Sequence, residues 1–286
     1  FGPCGYPSFN TTDEMADAVV DTGFDFVASA TNHSYDWGLF GALDHSVALW
    51  QTKPVAFTGT ATTAEQYNRI ATLERNGITF ALLNYTYGVN GFEQSDLPPY
   101  AVNFIDEKRI AADVGRAHFK ADVVIVAMHW GTELLMEADE EQQRLAQFLA
   151  DLNVDVVLGS HPHVIGPMAW VQSSIHPDHR TLVAYSLGNF LADHESPTPE
   201  SALEGMLSCV FNRDQDGIIS IDTIKWTPLI CHATEERSGF AVYTVDDYTN
   251  ELAHQNRSLV NLDDPVTWLN AKSQEVVGAS WFQQTG

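Results

Sequence analysis

Alternating apolar and polar stretches along the chain predict short strands separated by helices. Continuous apolar runs, which are typical of strands buried on both faces, occur at 123–128, 154–158 and 181–186. Apolar residues at helical spacing predict amphipathic helices at 39–50, 107–119 and 140–152. Helices that alternate with buried strands indicate an α/β fold with mixed sheets and layered helices.

Two local signals stand out in the first 80 residues. Thr11 and Glu14 have the three-residue spacing of a capping box, which predicts that a helix begins there. Asn76 and Gly77 lie between two apolar runs, which predicts a β-hairpin with its turn at these residues.

The pattern changes beyond about residue 200. Further strands are predicted at 206–211, 218–224 and 240–245. Two short helices are expected near 248–257 and 266–275. We therefore expect one domain over residues 1–245 and a helical extension over 246–286 that packs on its outside.

The composition indicates a globular protein with a strongly acidic surface. Of the 286 residues, 44% are hydrophobic and 18% are charged, and 38 acidic against 14 basic residues give a net charge of −24. Such a surface repels nucleic acid and anionic lipid headgroups, so neither is expected as a partner. An anionic substrate needs a local cationic feature, such as a metal ion. An extracellular and a salt-tolerant protein both fit this charge.

Cysteines and apolar segments add little to this picture. Cys4, Cys209 and Cys231 are too few for a disulfide framework, and we expect three ordinary thiols. A bridge between Cys209 and Cys231 stays open as the alternative if their segments are neighbouring strands. No apolar run reaches the ~18 residues of a membrane span. The chain begins without a Met or a leader, so we expect an excised or processed fragment, with any membrane anchor upstream.

Histidines and one amide follow the ends of three predicted strands. Asn32 and His33 come after the strand at 24–28, His129 ends the next of these strands, and His161 and His163 follow the third. Ligand sites in α/β sheets lie outside the carboxyl ends of strands, so we expect these five side chains to share one cleft.

These residue types favour a metal ion. Neutral imidazole is a common ligand of borderline divalent ions, and the Asn carbonyl suits a harder one. The pair His161 and His163, separated by one proline, can hold one ion or span two ions about 3.5–4 Å apart. The sequence therefore predicts a divalent metal, with Mn, Zn and Fe left open.

The blocks that carry these residues resemble a known family. ATNHSYDWG, HWGTELL, GSHPHVIGP and YSLGNF occur in the order found in the bacterial capsule-synthesis family of CapA-type and PgsA-type poly-γ-glutamate proteins. That family is similar to the calcineurin-like metallophosphoesterases. The resemblance implies a four-layer α/β/β/α sandwich with a two-metal centre.

The resemblance also implies a role for each residue. His33 matches the catalytic histidine, which protonates a leaving oxygen or stabilises developing charge. The matched metal ligands are Asn32, His129, His161 and His163. Asp36 and Glu133 resemble groups that orient His33 or His129. Gly188 and Asn189 are expected to shape the rim of the pocket or contact substrate. Five further residues are weaker candidates for its wall: Trp37, Tyr85, Tyr87, Asn90 and Trp130.

One family block has no counterpart here. The family begins with a strand that ends in Gly-Asp, and this chain begins after it, so we expect the first strand and its bridging carboxylate to be missing. Asn32, His129 and His161 then remain for one ion, and His163 alone for the other. We expect this fragment to bind metal weakly or not at all, to have little hydrolase activity, and to leave an open sheet edge.

Two functions remain as alternatives. The first is a metal-dependent hydrolase-like enzyme that acts on a phosphoester or γ-glutamyl-type bond in capsule or poly-γ-glutamate biosynthesis. The second is a non-catalytic assembly or export component that binds the anionic polymer or other capsule-synthesis proteins. A third, weaker interpretation is that the chain is a structural domain whose histidine cluster has lost its function. In the first two cases we expect the protein at the cell surface.

Overall fold

The fold is mixed α/β, as the sequence predicts. The computed structural model describes residues 2–192 and 197–282. They form two compact units: unit 1 contains residues up to His129 together with 152–156, and unit 2 contains 130–151 and the residues from Val157 onward. The division at residue 245 stays a prediction.

Among the described residues, unit 1 contains four α-helices, a π-helix (Leu39–Leu43), a 3-10 helix (Gln94–Asp96) and five strands. Its α-helices are α1 (Glu14–Thr22), α2 (Asp44–Gln51), α3 (Ala64–Tyr67) and α4 (Glu107–His118). Its strands are β1 (Phe26–Ala28), β2 (Ala56–Thr58), β3 (Ala71–Arg75), β4 (Ile78–Thr86) and β5 (Val123–His129).

These strands belong to two sheets. Strands β1 and β2 pair in parallel as a two-stranded sheet. In the second sheet, β4 lies between β3 and β5, antiparallel to the first and parallel to the second. The predicted hairpin between β3 and β4 is confirmed, and its turn residues Asn76 and Gly77 have φ angles of 52° and 79°. Positive φ at both positions is what a tight hairpin turn requires.

The predicted capping box at the first helix is wrong. Helix α1 begins at Glu14, with Asp13 at the N-cap position and no side-chain cap bond. Glu14 instead bonds the side chain of Thr12, which lowers the pKa of its carboxyl. Thr11 therefore lies two residues before the N-cap position and does not cap the helix.

Helix α4 is fixed to the sheet of unit 1 by a buried carboxylate. Asp113 is 2% exposed and accepts a hydrogen bond of 2.8 Å from the Tyr85 hydroxyl on β4. It also pairs with Arg109 at 2.7 Å and with Arg116. The carboxylate has bonded partners on both oxygens, which is the condition for burying a charge without a large desolvation penalty.

Unit 2 contains the remaining elements. Its helices are α5 (Glu140–Asp151), α6 (Pro199–Ala202), α7 (Asn250–Ala253) and α8 (Pro265–Val277). Its strands are β6 (Val156–Ser160), β7 (Met168–Gln172), β8 (Arg180–Ala184), β9 (Leu203–Arg213), β10 (Ile219–His232) and β11 (Ala241–Thr244). The first residue of β6 is counted with unit 1.

Two groups of strands form in unit 2. In the first, β8 lies between β6 and β7 and runs antiparallel to β7. In the second, β10 lies between β9 and β11 and is antiparallel to both. The strands predicted beyond residue 200 are confirmed, and the long β9–β10 pair carries one register shift between Ile221 and Thr223.

The tail differs in part from the expected pair of helices. The helix expected near 266–275 is confirmed as α8, which begins with Pro265 after an Asp264 cap. The helix expected near 248–257 is reduced to the four residues of α7. Trp226 on β10 donates a hydrogen bond of 3.1 Å to Ser273 and so attaches α8 to the sheet.

The cysteines are free thiols, as expected. The alternative bridge between Cys209 and Cys231 does not form, because Cys209 lies opposite Ile224 in the β9–β10 pair. Cys231 is seven residues further along β10, roughly 23 Å at the rise of a strand. Within the described part of the chain, no helix combines the length and apolarity needed to cross a membrane.

Candidate functional site

The loop after β1 brings Asn32 to the end of β5. Asn32 is 4% exposed, and its Oδ1 lies 2.9 Å from Nε2 of His129, the last residue of β5. The ring of Tyr87 stacks on the His129 ring with a centroid distance of 6.2 Å. Two oxygen or nitrogen ligands of one metal ion lie about as far apart as this pair, so the geometry suits both a direct hydrogen bond and shared coordination.

His33 is held in one orientation by a carboxylate. Its Nδ1 lies 2.8 Å from Oδ2 of Asp36, which also accepts a 2.8 Å hydrogen bond from the backbone N–H of Phe9. The side-chain amide of Asn90 lies 3.4 Å from the other ring nitrogen, Nε2. These contacts fit a neutral ring with its proton on Nδ1 and its lone pair on Nε2. His33 thus has the oriented imidazole that general acid–base chemistry needs.

A buried amide fixes the backbone in front of Asn32 and His33. Asn84 on β4 accepts a hydrogen bond of 2.5 Å from the backbone N–H of Ala30. Gly59, with φ of +113°, packs against the same place, and a Cβ there would lie 2.3 Å from both the Ala30 nitrogen and the Asn84 Oδ1. A larger residue than glycine does not fit this position.

A second group of possible ligands lies in unit 2. One ligand atom each from Glu133, His161 and His163 lies within 4.8 Å of the other two. His161 is buried, His163 is partly buried and Glu133 is exposed. Two imidazoles and one carboxylate form a donor set that suits Zn, Mn or Fe. The residues present therefore fit the predicted divalent metal.

The backbone that carries these ligands is strained. His161 and His163 have φ angles of +101° and +61°, and Leu134, next to Glu133, has φ of +61°. The Leu134 N–H donates a 2.8 Å hydrogen bond to the Pro162 carbonyl, which ties the two ligand-bearing loops together. Non-glycine residues with positive φ cost about 1–3 kcal/mol each and are concentrated at functional sites.

Asn189 determines which ring nitrogen of His163 is free to bind a metal ion. Its Nδ2 donates to the carbonyls of His163 and Ser201 at 3.2 and 3.1 Å, so its Oδ1 is left to accept from His163 Nδ1 at 2.8 Å. The proton of neutral His163 then lies on Nδ1, and the Nε2 lone pair is left for a metal. Gly188 in the same turn has φ of +74°, and a Cβ there would lie 3.2 Å from the Leu203 carbonyl oxygen, so glycine suits this position.

A buried glutamine supports the loop after β5. Gln142 on α5 exchanges two hydrogen bonds with Asp139 and donates a third to the Tyr185 carbonyl at 3.3 Å. Gly131, with φ of +87°, packs directly on the Gln142 amide. Trp130 is 2% exposed and donates to the same Tyr185 carbonyl, so it packs as a core residue.

The structure thus brings the sequence-predicted residues together in two groups. Asn32, His33, Asp36 and His129 meet in unit 1, and Glu133, His161, His163, Gly188 and Asn189 meet in unit 2. The sequence predicts an orienting role for Glu133, whereas the structure places it among the possible ligand atoms. Its position in the block HWGTE, directly after the strand that ends in His129, was the available signal. The single cleft shared by all five predicted metal and catalytic residues stays a prediction.

The motifs and geometry agree with a comparison against known families. A family described as bacterial capsule synthesis protein PGA_cap matches residues 3–194. That match covers about two thirds of the sequence and includes every residue of both groups, so the chain belongs to this bacterial capsule-synthesis family.

Two curated relatives extend the comparison. The PGA biosynthesis protein CapA of Bacillus subtilis (strain 168) is 30% identical over 196 residues, which are 68% of this chain and 49% of that protein. The capsule biosynthesis protein CapA of Bacillus anthracis is 28% identical over 67% of this chain and 46% of that protein. The chain spans about half the length of these relatives.

Solved structures show weaker likeness. A putative 5′-nucleotidase from Staphylococcus aureus has a TM-score of 0.49 at 14% identity and covers 90% of this chain and 44% of its own. A hypothetical protein from Thermus thermophilus has a TM-score of 0.44 at 17% identity, with 81% and 80% covered.

Proposed function

We propose that this capsule-synthesis protein is a metal-dependent hydrolase-like enzyme that acts on a phosphoester or γ-glutamyl-type bond of a cell-surface polymer. The observation that carries the proposal is the ligand group of Glu133, His161 and His163, whose ligand atoms lie within 4.8 Å of one another. The names of the relatives, which concern capsule and PGA biosynthesis, support the pathway but specify no reaction.

The residues of unit 2 would hold the metal. Glu133, His161 and the Nε2 of His163 would be its ligands, and Asn189 keeps the His163 proton on Nδ1 so that Nε2 stays available. When bound, a divalent ion of this kind polarises the scissile group and lowers the pKa of bound water. It also supplies the local positive charge that an anionic substrate needs on a protein of net charge −24.

His33 would serve as the general acid. In its protonated form it carries a proton on Nε2, which it gives to the leaving oxygen, while Asp36 accepts from Nδ1 and stabilises the imidazolium. Asn90 donates to the same Nε2 in the neutral ring and steadies it after the transfer. Removal of His33 therefore should affect turnover and leave metal binding in unit 2 intact.

Metal analysis and turnover together test the proposal. Protein purified without chelator is loaded with Mn²⁺ or Zn²⁺, and its metal content and its hydrolysis of bis(p-nitrophenyl) phosphate are measured. We expect His161→Ala to lose both metal and turnover. His33→Ala is expected to keep metal but lose turnover by about 100-fold or more, which is the size of a general-acid contribution.

His176→Ala is the matched control, because His176 is exposed and lies outside both groups. Full metal retention in His161→Ala would contradict the ligand group. Metal binding without turnover on phosphoester or γ-glutamyl substrates would contradict the catalytic role and favour the assembly or export component, which binds polymer or partner proteins at the cell surface.

A further inference from the structure

A pocket of about 320 Å³ in unit 1 has a lining that is unusual for this protein. Its walls contain two basic residues, Lys53 and Arg69, and no Asp or Glu among the described residues. The protein as a whole has 38 acidic and only 14 basic residues. The pocket lining is therefore a local exception to the acidic composition, and its two cations favour a negatively charged ligand.

The two cations are not equivalent. The Lys53 side chain is 16% exposed and forms an ion pair with Asp17, so its charge is partly balanced. Arg69 is exposed, and among the described residues its guanidinium has no ion pair or hydrogen bond. A free guanidinium offers five N–H donors in a planar fork, the geometry that matches an oxyanion.

Part of the pocket lining is aromatic and apolar. The rings of Trp50 and Phe57 stack with a centroid distance of 6.0 Å and an interplanar angle of 15°, and both line the pocket. Val47 and Val55 complete this part of the lining. A flat ring fits such a surface, because offset stacking on aromatic side chains adds to the burial of apolar area.

Rigid backbone forms the floor of the pocket. Thr58 accepts hydrogen bonds from the backbone N–H and the hydroxyl of Ser29, at 2.9 and 2.8 Å. Gly59 accepts one of 2.8 Å from the Asn103 N–H. The floor is thus fixed before any ligand arrives, which lowers the entropic cost of binding.

We propose that this pocket binds a small anion that carries a flat ring, with the anionic group on Arg69 and the ring against Trp50 and Phe57. The pocket shares no residue with the ligand group of Glu133, His161 and His163, and it requires no metal. The pocket would contact the ligand through both the unpaired Arg69 and the aromatic residues. A ligand that has only the negative charge, or only the ring, should therefore bind more weakly.

Benzenesulfonate is the probe, because it combines one negative charge with a flat ring and is a poor ligand for metal ions. Its binding to chelator-treated protein is measured by calorimetry, beside methanesulfonate, which lacks the ring, and benzyl alcohol, which lacks the charge. We expect benzenesulfonate to bind more tightly than both. Equal affinity for methanesulfonate would overturn the ring contact, and equal affinity for benzyl alcohol would overturn the charge contact.

Substitutions locate the bound probe. Arg69→Gln is expected to weaken benzenesulfonate about tenfold or more, the loss expected for a hydrogen bond to a charged group. Arg75→Gln removes the same charge outside the pocket, where Arg75 pairs with Asp25, and is expected to leave affinity unchanged. His161→Ala is also expected to leave it unchanged.

Equal losses in Arg69→Gln and Arg75→Gln would overturn the proposal, because they would show a general charge effect. A loss in His161→Ala alone would assign the probe to the proposed metal ligands and would equally overturn it. Thermal unfolding of each variant confirms folding, and Arg69 is a safe position because its guanidinium has no partner to lose among the described residues.

Discussion

At the scale of single residues, the most informative contact is the one between Asn189 and His163. Replacing Asn189 with Leu keeps its size but removes the acceptor for His163 Nδ1–H and both donor bonds. The ring is then free to rotate and to change its tautomer. We expect affinity for Zn²⁺ or Mn²⁺ to fall about 10- to 100-fold, the usual effect of removing such a supporting group.

Calorimetric metal titration measures this change, and Asn212→Leu is the matched control. Asn212 is exposed on β9 and takes no part in either group. Nitrogen-15 NMR of the His163 ring gives a second readout, since it distinguishes the two tautomers directly. An unchanged affinity with an unchanged tautomer would refute the role of Asn189.

Glu204 is a buried acid that the proposed chemistry does not use. It is 0% exposed, and neither carboxyl oxygen has a hydrogen-bond partner among the described residues. Burial raises its pKa to about 10. In the unfolded chain the group ionises near its ordinary value of 4.5. Between these two pKa values the folded protein keeps the Glu204 proton, whereas the unfolded chain loses it. The contribution of Glu204 to the free energy of unfolding therefore falls as the pH rises through this range.

Glu204→Leu should remove that dependence. We expect the substitution to increase the free energy of unfolding, and the increase to be about 2–4 kcal/mol larger near pH 8 than near pH 5, at about 1.4 kcal/mol per pKa unit. Urea unfolding at both pH values measures it. Glu251→Leu, at an exposed position of α7, is the control. The same gain at both pH values would show that Glu204 is not a buried neutral acid.

At the scale of elements, Gly159 near the end of β6 allows the chain at the end of β8 to pack closely against β6. A Cβ on Gly159 would lie 1.8 Å from the Tyr185 carbonyl oxygen, a backbone atom that cannot move alone. We expect Gly159→Ala to lower the free energy of unfolding by about 3 kcal/mol or more. Chemical denaturation measures the loss.

Gly115 in the middle of α4 gives the contrasting control. A Cβ there meets nothing within 4 Å, and its φ is ordinary for a helix. Gly115→Ala should therefore increase the free energy of unfolding by about 0.5–1 kcal/mol through helix propensity. Losses of similar size in both variants would mean that the close approach of β6 and β8 is not what Gly159 provides.

The elements also show what the sequence can and cannot predict. The Asn76–Gly77 hairpin and helix α8 follow from residues close together in the sequence, and both are confirmed. The burial of Glu204 is different, because alternation along β9 places it on the same face as exposed Met206 and Val210. Whether one end of a strand is buried depends on which distant segments of the chain pack over it, and the local sequence pattern does not predict this.

The candidate site was predictable to a similar degree. Strand-end positions identified the histidines, because apolar runs define where strands end. The closeness of Glu133 to His161 and the bond from Asn189 to His163 depend on how separate loops meet, and on positive φ angles that histidine rarely adopts. Those are tertiary properties, so residue types alone could not assign the ligand set.

At the scale of the whole molecule, the net charge of −24 makes self-repulsion a general term in stability. Added salt screens this repulsion, since the Debye length falls from about 30 Å at 0.01 M to about 8 Å at 0.15 M. We expect Tm to increase between these salt concentrations. Calorimetry in NaCl and in choline chloride measures it, and a similar rise in both identifies screening. A rise in NaCl alone would indicate specific ion binding instead.

The left-handed backbone at His161 and His163 has a consequence for anyone who tries to improve this protein. Glycine adopts these angles without strain, so exchanging either imidazole for a hydrogen atom relaxes the loop. Directed evolution under heat selection alone would therefore not select for histidine at either position. Variants that have lost the two ring nitrogens would pass such a selection unnoticed. A useful selection must reward ligand capture and thermal resistance in the same round.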